Sequence, residues 1–173
     1  SAENHDDALC EIEMMMKVGE WDVSGTTDMY QKSIKTVTDW KVTSVWKVLK
    51  GLSDTDSWVK QTNCYAAMLQ SPDCVKVIDG VETKEVFEVE HIEIICILKD
   101  WKKRESLYNK DYPPTPVIRI KVPMFSKDGM ISYMHKRVAH HLAEEQKFYL
   151  EVENPEDKFN EKKLSLCTAE ERW

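Results

Sequence analysis

The chain has 173 residues, of which 42% are hydrophobic and 32% are charged, and its formal net charge is −7. This length favours one domain, and the mean hydropathy of −0.53 predicts a soluble protein with enough apolar residues for a core. The negative charge argues against nucleic acid as a partner, because such binding depends on neutralising phosphates with lysine and arginine. No apolar run approaches the roughly 20 residues that a membrane helix needs, so we also expect no membrane partner.

Cysteine usage favours a reducing compartment. The five cysteines are odd in number and show no C-x-x-C spacing, and the sequence has no N-x-S/T acceptor for glycosylation. We therefore expect an intracellular protein, cytoplasmic or nuclear. A secreted protein stays open as the alternative, with a removed signal peptide and one bridge such as Cys64 to Cys74.

The first elements in chain order are a helix and a loop. Residues 6–18 predict a helix because Leu9, Ile12 and Met16 recur at helical spacing. Residues 19–29 predict a loop.

Two strands are expected next. Residues 33–51 alternate with period two, which predicts one long strand, or two strands joined by a bend. Trp40 and Trp46 fall on the face that we assign to the core. The charged side chains of the other face are assigned to solvent: Lys35, Asp39, Lys41 and Lys47. Residues 58–69 predict a returning strand.

The second half predicts strands at residues 85–98 and 116–123, followed by an amphipathic helix at residues 126–146. A short strand at 147–153 and a last helix that begins at Asn154 complete the chain. This order of elements predicts an α+β protein, an antiparallel β meander with helices packed on one face. A β-sandwich or barrel with a flanking helix is the alternative fold.

Catalytic motifs are scarce in the sequence. It contains no glycine-rich phosphate loop and no G-x-S-x-G turn. His135, His140 and His141 have spacings of five, six and one, whereas two zinc ligands on one helical face need a spacing of four. Carboxylates are abundant, but spacing alone nominates no acid/base pair. We therefore expect no catalytic residue, no cofactor and no metal.

A proline-rich turn precedes the strand at 116–123. Its residues are Tyr112, Pro113, Pro114 and Pro116. The prolines fix their own φ and keep the preceding residues out of the helical region. Tyr112 can anchor the turn with its ring and its hydroxyl. The turn therefore stiffens the start of the strand.

The motif Y-P-x-x-P, followed by an alternating strand and an amphipathic helix, resembles the RWD domain, a noncatalytic relative of the ubiquitin-conjugating fold. The family's usual motif, Y-P-x-x-x-P, is one residue longer. The resemblance covers residues 6–18 and 85–166, and it requires an inserted or extended β-hairpin around residues 30–80. Residues 117–166 contain no cysteine and no H-P-N, so a thioester cannot form there.

The resemblance implies a noncatalytic module that recruits a partner protein, as one domain over residues 1–173. Candidate contact residues are Met14, Met15, Trp101, Lys102, Lys103 and Arg104. The alternative is a secreted β-rich protein that captures a host factor, a lipid or a small ligand. An enzyme with an unrecognised site is a third interpretation, which a large polar-lined pocket would support.

Overall fold

The computed structural model describes residues 7–51 and 57–152, with side chains up to residue 147. Within these residues, seven strands form one sheet: β1 (Ala8–Val18), β2 (Trp21–Gln31), β3 (Thr36–Thr43), β4 (Val75–Ile78), β5 (Val81–Thr83), β6 (His91–Leu98) and β7 (Val117–Val122). The helices of the same part of the chain are α1 (Val45–Leu49), α2 (Ser57–Leu69), α3 (Lys103–Tyr108) and α4 (Lys127–Val152).

The strands lie in the order β5-β4-β1-β2-β3-β6-β7, and neighbours are antiparallel except β3 and β6, which run parallel. The predicted α+β class is confirmed, and the sheet formed by the described strands is open rather than closed into a barrel. The sheet is mixed because it contains this one parallel pair. The strands of a parallel pair need a long crossover connection between them. That crossover carries α1, α2 and the β4–β5 hairpin. The inserted or extended hairpin expected around residues 30–80 stays a prediction.

The main core lies between one face of the sheet and the helices α2 and α4. Along β1 every second side chain points into it, and the buried set is Ile12, Met14, Met16 and Val18. Met68 and Leu69 of α2 and Met130 and Met134 of α4 belong to the same apolar cluster. We call this the inner face of the sheet.

The predicted helix at residues 6–18 is wrong, because nearly all of this stretch forms β1. Ile12 and Met16, whose spacing of four suggested a helix, also share a face of a strand, since any even spacing does so. Leu9 packs against the same core although it is an odd number of residues away from them. Glu11, which lies between Leu9 and Ile12, adopts a φ of 50°. This irregularity breaks the alternation of side chains between Leu9 and Ile12.

Of the next three predictions, two are wrong and one is confirmed only in part. Residues 19–29, expected to be a loop, mostly belong to β2, which follows a turn at Gly19 with a φ of 66°. The long strand expected at 33–51 ends at the end of β3, where the Ser44 hydroxyl caps α1. Residues 58–69 form α2 rather than a strand. Their helical pattern is hidden because two of the buried positions of α2 are polar, Thr62 and Asn63.

Predictions for the second half fare better. The strands expected at 85–98 and 116–123 are confirmed over most of their length as β6 and β7, and the helix at 126–146 is confirmed as α4. This helix continues through most of residues 147–153, so the short strand expected there is wrong. The helix predicted from Asn154 lies outside the described residues. No helix in the described part of the chain is long and apolar enough to cross a membrane.

Asn63 fixes α2 against the connection between β7 and α4. This side chain is only 1% exposed. Its amide nitrogen donates to the carbonyl oxygens of Val59 (2.9 Å) and Pro123 (3.0 Å), and its Oδ1 accepts from the Phe125 N–H (2.7 Å). One buried amide therefore satisfies two backbone groups of the β7–α4 connection and holds α2 in register with them.

Lys76 secures the C-terminal end of the same helix. The residue is fully buried, and its ammonium donates to the carbonyl oxygens of Ser71 (3.0 Å) and Cys74 (3.2 Å), just beyond the last turn of α2. A positive charge is favourable at this end of a helix because of the helix dipole. Burial lowers the pKa of Lys76.

We predict that Asn63→Ala lowers the free energy of unfolding by about 1–3 kcal/mol, because it leaves backbone groups of the β7–α4 connection without a partner. Urea denaturation measures the change. Gln70→Ala is the matched control, since the amide of Gln70, just after α2, donates to the carbonyl oxygen of Ala66 in α2 (3.1 Å), and a change below about 0.5 kcal/mol is expected. Equal losses in the two variants would contradict the role given to Asn63.

Candidate active site

The sheet ladder is interrupted on both sides of Asp28 in β2. β2 and β3 pair over three residue pairs, of which the last is Met29 with Thr38, and the next residues along are Asp28 and Asp39. There the Asp28 Oδ2 accepts a hydrogen bond of 2.6 Å from the backbone N–H of Trp40, in place of a backbone acceptor. We call this point, marked by Asp28 and Asp39, the β2–β3 split.

On its other edge β2 pairs with β1. Glu11 and Asp28 stand opposite each other there, but they are not paired in the ladder. The positive φ of Glu11 marks the irregularity. The register is the same on either side of this pair, so no residue is inserted and the irregularity is confined to Glu11 and Asp28. Asp28 is therefore held at a place where the backbone of three strands is released from regular pairing.

Asp39 and Lys41 of β3 point into the inner face of the sheet. They alternate with Val37, which is fully buried on that face, and they pair with Ile94 and Cys96 of β6, which are also fully buried. Asp39 is 3% exposed, and the Lys41 side chain is 21% exposed. Two charged side chains thus stand on the core side of a strand, where apolar residues are the rule.

The faces of β3 are the reverse of those predicted. Asp39 and Lys41 were assigned to solvent and lie inside, whereas Trp40 and Trp46, assigned to the core, are 49% and 70% exposed. The alternation correctly separates the two faces of β3 but does not say which face is buried. Trp46 lies beyond the end of the strand, in α1, so its place in the alternation had no meaning.

Two interactions link Asp39 to α2, and a third continues the chain of contacts within α2. The Lys41 ammonium lies 2.9 Å from the Asp39 Oδ2 and donates to the Gln61 Oε1 (3.1 Å), and the Gln61 Nε2 donates to the Tyr65 hydroxyl (2.7 Å). Gln61 and Tyr65 are four residues apart and therefore share one face of α2. We call these four side chains, Asp39, Lys41, Gln61 and Tyr65, the polar relay.

Gly25 of β2 makes room for the tyrosine of the relay. A Cβ atom at this position would lie 2.7 Å from the Tyr65 Cε1, closer than carbon atoms approach each other in proteins. The absence of a side chain lets the ring lie directly on β2. The sheet and the helix are thus shaped for each other at the end of the polar relay.

The Lys41 ammonium offsets the negative charge of the Asp39 carboxylate only in part. Burial raises its pKa, and the nearby Asp28 carboxylate raises it further, while the Lys41 ammonium opposes both effects. The Asp39 Oδ2 is buried, and its ion pair with Lys41 lacks the angles of a hydrogen bond. A buried carboxylate of this kind is stabilised by a further cation. Burial likewise raises the pKa of Tyr65.

The residues at the β2–β3 split suit one class of metal ion. Among the described residues, no group of three or more histidine, cysteine, aspartate or glutamate side chains forms a complete metal cage. Mg²⁺ does not need one, because it keeps several waters and binds through one or two carboxylates together with substrate phosphates. Asp28 and Asp39 can supply those carboxylates. The all-oxygen set favours Mg²⁺ or Mn²⁺ over softer metals.

A cavity of about 370 Å³ lies beside the far end of the polar relay, between α2, α4 and the start of β2. We call it the α2–α4 cavity. Gln61 and Tyr65 form one wall of it, and Arg137 and His141 of α4 contribute polar groups. The remaining lining is mainly apolar: Trp21, Val23, Ser24, Cys64, Met68, Met134 and Val138.

The cysteines offer no nucleophile in this region. Cys64 lines the α2–α4 cavity, but burial raises its pKa to about 12, so its thiol stays protonated at neutral pH. Cys64 and Cys74 are both buried and free, and the bridge considered between them is not formed. Cys10 and Cys96 are free as well.

A larger cavity of about 700 Å³ lies elsewhere, beside the start of β6, and is lined by charged residues. Lys35 pairs there with Glu88 (2.9 Å) and Glu90 (2.6 Å), and Arg119 pairs with Glu93 (3.2 Å). These pairs lie largely in solvent, where each is worth little energetically. Lys35, Glu90 and Glu93 of its lining are held in these ion pairs, so we do not assign chemistry to this cavity.

The six candidate contact residues lie in two separate parts of the chain, on β1 and around the start of α3. Met14 is 2% exposed and belongs to the core, so it is unavailable to a partner protein, whereas its neighbour Met15 is 50% exposed. Trp101 is half-buried, and its indole N–H donates to the carbonyl oxygen of Pro113 (2.8 Å). The remaining three are exposed at the start of α3: Lys102, Lys103 and Arg104.

The proline-rich turn is tied to the segment that follows β6. The Tyr112 hydroxyl accepts from the Lys102 N–H (2.9 Å), and the Tyr112 ring packs against the core. Pro113 is buried, and the carbonyl oxygen of Pro116 accepts from the Leu98 N–H (2.8 Å). Pro114 is exposed between them. The turn therefore sets the start of β7 against the end of β6.

Comparisons with protein-family models, curated proteins and solved structures find no match to this chain. The resemblance to the RWD domain stays a prediction, and the first helix on which it partly rested is β1.

The sequence analysis missed every residue of the polar relay. Two signals were present: a D-x-K pair at Asp39 and Lys41 in a β-branched strand, and a Q-x-x-x-Y pair at Gln61 and Tyr65 in an amphipathic segment. Neither pair has meaning alone. The crossover between β3 and β6 places Gln61 and Tyr65 over Asp39 and Lys41. The spacing of residues in the sequence does not predict this placement.

We predict that Asp39→Asn raises the free energy of unfolding at neutral pH. The pKa of Asp39 in the folded protein lies above its ordinary value of 3.8. Between the two values the folded state binds more protons than the unfolded state, so stability falls as pH rises through that interval. The asparagine variant lacks this loss, and its advantage over the wild type grows as pH rises from about 4 and is then constant.

Urea denaturation between pH 4 and 8 measures this difference. Asp22→Asn is the control, because the Asp22 side chain is 55% exposed and its ion pair with Lys17 is 3.9 Å long. It should change the free energy of unfolding by less than about 0.5 kcal/mol. A destabilisation by Asp39→Asn that is largest at neutral pH would show that Asp39 is a structural ion-pair partner instead.

Proposed function

We propose that the chain is a divalent-metal-dependent nuclease, which hydrolyses phosphodiester bonds at the β2–β3 split. The observation that carries the proposal is the polar relay on the inner face of the sheet, which ends at Asp39, opposite Asp28, where regular strand pairing stops. Buried polar groups with raised pKa values and specific charged neighbours are typical of functional sites. The proposal reverses the expectation of a noncatalytic protein.

The chemistry assigned to the site is metal-assisted hydrolysis. A divalent cation on Asp28 and Asp39 would polarise the phosphoryl group and lower the pKa of a bound water. The attacking water forms a new P–O bond and gives up its proton to solvent, while the ester P–O bond breaks and the leaving oxygen takes a proton. One water is consumed, and the products are a phosphate monoester and a hydroxyl.

Lys41 has a direct role in this scheme. Its ammonium lies beside Asp39 and is partly exposed, so it can reach an incoming phosphate or the attacking water. A fixed positive charge at this place stabilises the negative charge that develops on the phosphoryl oxygens. Gln61 and Tyr65 are positioning residues, because the amide accepts from the ammonium and the hydroxyl orients the amide.

Nucleic acid is favoured as the substrate by basic and aromatic side chains on α1, α2 and α4. Lys60 precedes Gln61 in α2 and lies 5.6 Å from the ring of Tyr133, and Lys47 of α1 lies 4.9 Å from the ring of Trp58. Basic side chains interleaved with aromatic rings suit a chain of phosphates and bases. Trp21 and Tyr65 in the α2–α4 cavity add to this character.

The negative net charge, from which no nucleic-acid partner was expected, does not exclude this substrate. Net charge is a property of the whole chain, whereas an active site needs positive charge only at the few phosphates that it contacts. Lys41 and Lys60 supply such charge locally, and a divalent cation at Asp28 and Asp39 would offset both carboxylates. Free cysteines among the described residues accord with an intracellular location.

We predict that the chain cleaves labelled DNA oligonucleotides with Mg²⁺ or Mn²⁺ and that excess EDTA stops the reaction. Asp28→Asn and Asp39→Asn should each lower kcat/KM by at least about 100-fold, because each removes a carboxylate that would hold the cation. Gln61→Ala should lower it by about 10- to 100-fold, as expected for a residue that orients the reacting groups. Gel electrophoresis of the products measures the rates.

The matched control is Asp22→Asn, which removes an exposed carboxylate from the same strand as Asp28 and should retain wild-type activity. Cleavage by Asp39→Asn at the wild-type rate would contradict the role assigned to Asp39. If the wild type shows no metal-dependent cleavage, the proposal is overturned.

A second candidate function is the noncatalytic recruitment of a partner protein. The observation in its favour is an apolar strip on the outer face of the sheet, where Val42, Ile97 and Val117 are neighbours across three strands and are 69%, 40% and 46% exposed. Exposed apolar patches of this kind mark interaction sites. The cleavage assay distinguishes the two candidates, because a noncatalytic module shows no metal-dependent hydrolysis in the wild type or in any variant.

A further inference from the structure

We infer that the α2–α4 cavity binds an unpaired nucleobase of the nucleotide next to the phosphodiester that is cleaved. The inference rests on the proposed nuclease function and deepens it, since it selects single-stranded nucleic acid, or the frayed end of a duplex, as the substrate. It is carried by the size of the cavity, by its lining and by the residues that it shares with the polar relay.

The cavity and the polar relay have two residues in common. Gln61 and Tyr65 lie at the α2 end of the relay and form part of the cavity wall. A group bound in the cavity is therefore separated from Lys41 by one side chain, whose amide accepts from the Lys41 ammonium at 3.1 Å. The cavity is thus adjacent to the side chains that position Lys41.

Size and lining suit a flat heterocycle. The volume of about 370 Å³ lies within the usual range of small-ligand pockets and is far too small for a duplex. The walls are mainly apolar, with Met68, Met134 and Val138 on the two helices and Trp21 near the opening, where its side chain is 43% exposed. Apolar and aromatic walls bind the face of a base without requiring one sequence.

A small number of polar groups complete the site. Arg137 and His141 of α4 and Ser24 of β2 line the same cavity and can hydrogen-bond the edge of a base or its sugar. Apolar walls with a few convergent polar groups are what binding sites for small aromatic ligands present.

Unpaired substrate follows from this geometry. A base inside a duplex is stacked and paired, so it must leave the helix before it can enter such a cavity, and extrusion costs energy. A single strand or a frayed end avoids that cost. The enzyme should therefore cleave a bond beside an accessible base faster than the same bond within a duplex or beside a missing base.

The test uses short DNA strands that carry one natural phosphodiester among methylphosphonate linkages. The nucleotide on the 5′ or the 3′ side of that bond is either intact or abasic, and each strand is assayed alone and within a duplex. With Mg²⁺ present, the wild type should cleave the intact single strand about 5- to 150-fold faster, in kcat/KM, than the strand that is abasic on the bound side. The duplex should be cleaved more slowly than the single strand.

Two variants alter the cavity without touching the polar relay. Val138→Phe fills it, and Trp21→Ala removes an exposed ring from its opening, so both should bring the ratio of intact to abasic cleavage towards one. Circular dichroism and thermal unfolding like those of the wild type would show that the fold of each variant is intact. Val81→Phe is the control, because Val81 is 67% exposed on β5 and lies outside the cavity lining.

The outcomes separate this inference from the proposed function. Equal cleavage of intact and abasic strands by the wild type, together with loss of cleavage in Asp39→Asn, would overturn the base-binding cavity and leave the nuclease proposal standing. Absence of cleavage from every strand would overturn both. A lower ratio in Val81→Phe, equal to that in Val138→Phe, would also contradict the role of the cavity.

Discussion

The ion pair of Asp39 and Lys41 on the inner face of β3 is the constraint on which the rest of the structure depends. Placing a carboxylate that is 3% exposed beside a second carboxylate opposes folding, because each loses hydration that one ammonium replaces only in part. Well-packed apolar residues at the same positions would often be neutral or stabilising. A break with the local rule of apolar core positions is expected at functional sites, where stability is given up for chemistry.

The topology brings the parts of the site together. β3 supplies Asp39 and Lys41, and the chain then crosses over through α2 before it returns as β6 beside β3, in parallel. Gln61 and Tyr65 thereby come to lie over the two charged residues. Asn63 and Lys76 anchor α2 at its middle and its C-terminal end, so the helix that orients the ammonium is itself held by buried hydrogen bonds. Rigid support of this kind is what a reacting group needs.

The sequence predicted the second half of the fold better than the first, for physical reasons. β6, β7 and α4 follow simple rules, since their apolar residues alternate or recur at helical spacing on one buried face. β1 was misread because Ile12 and Met16 share a face in either structure. α2 was misread because two of its buried positions, Thr62 and Asn63, are polar and satisfied by hydrogen bonds that only the tertiary structure supplies. The candidate site could not be predicted, because its two pairs of residues meet only through the crossover.

Binding of Mn²⁺, which shares the oxygen ligands of Mg²⁺ and is detected by electron paramagnetic resonance, tests the central claim most directly. The account predicts that the wild type binds about one Mn²⁺ per chain and that Asp39→Asn weakens this binding at least about tenfold, whereas Asp22→Asn does not. Equal binding by the wild type and Asp39→Asn would contradict it, since the buried carboxylate would then hold no metal.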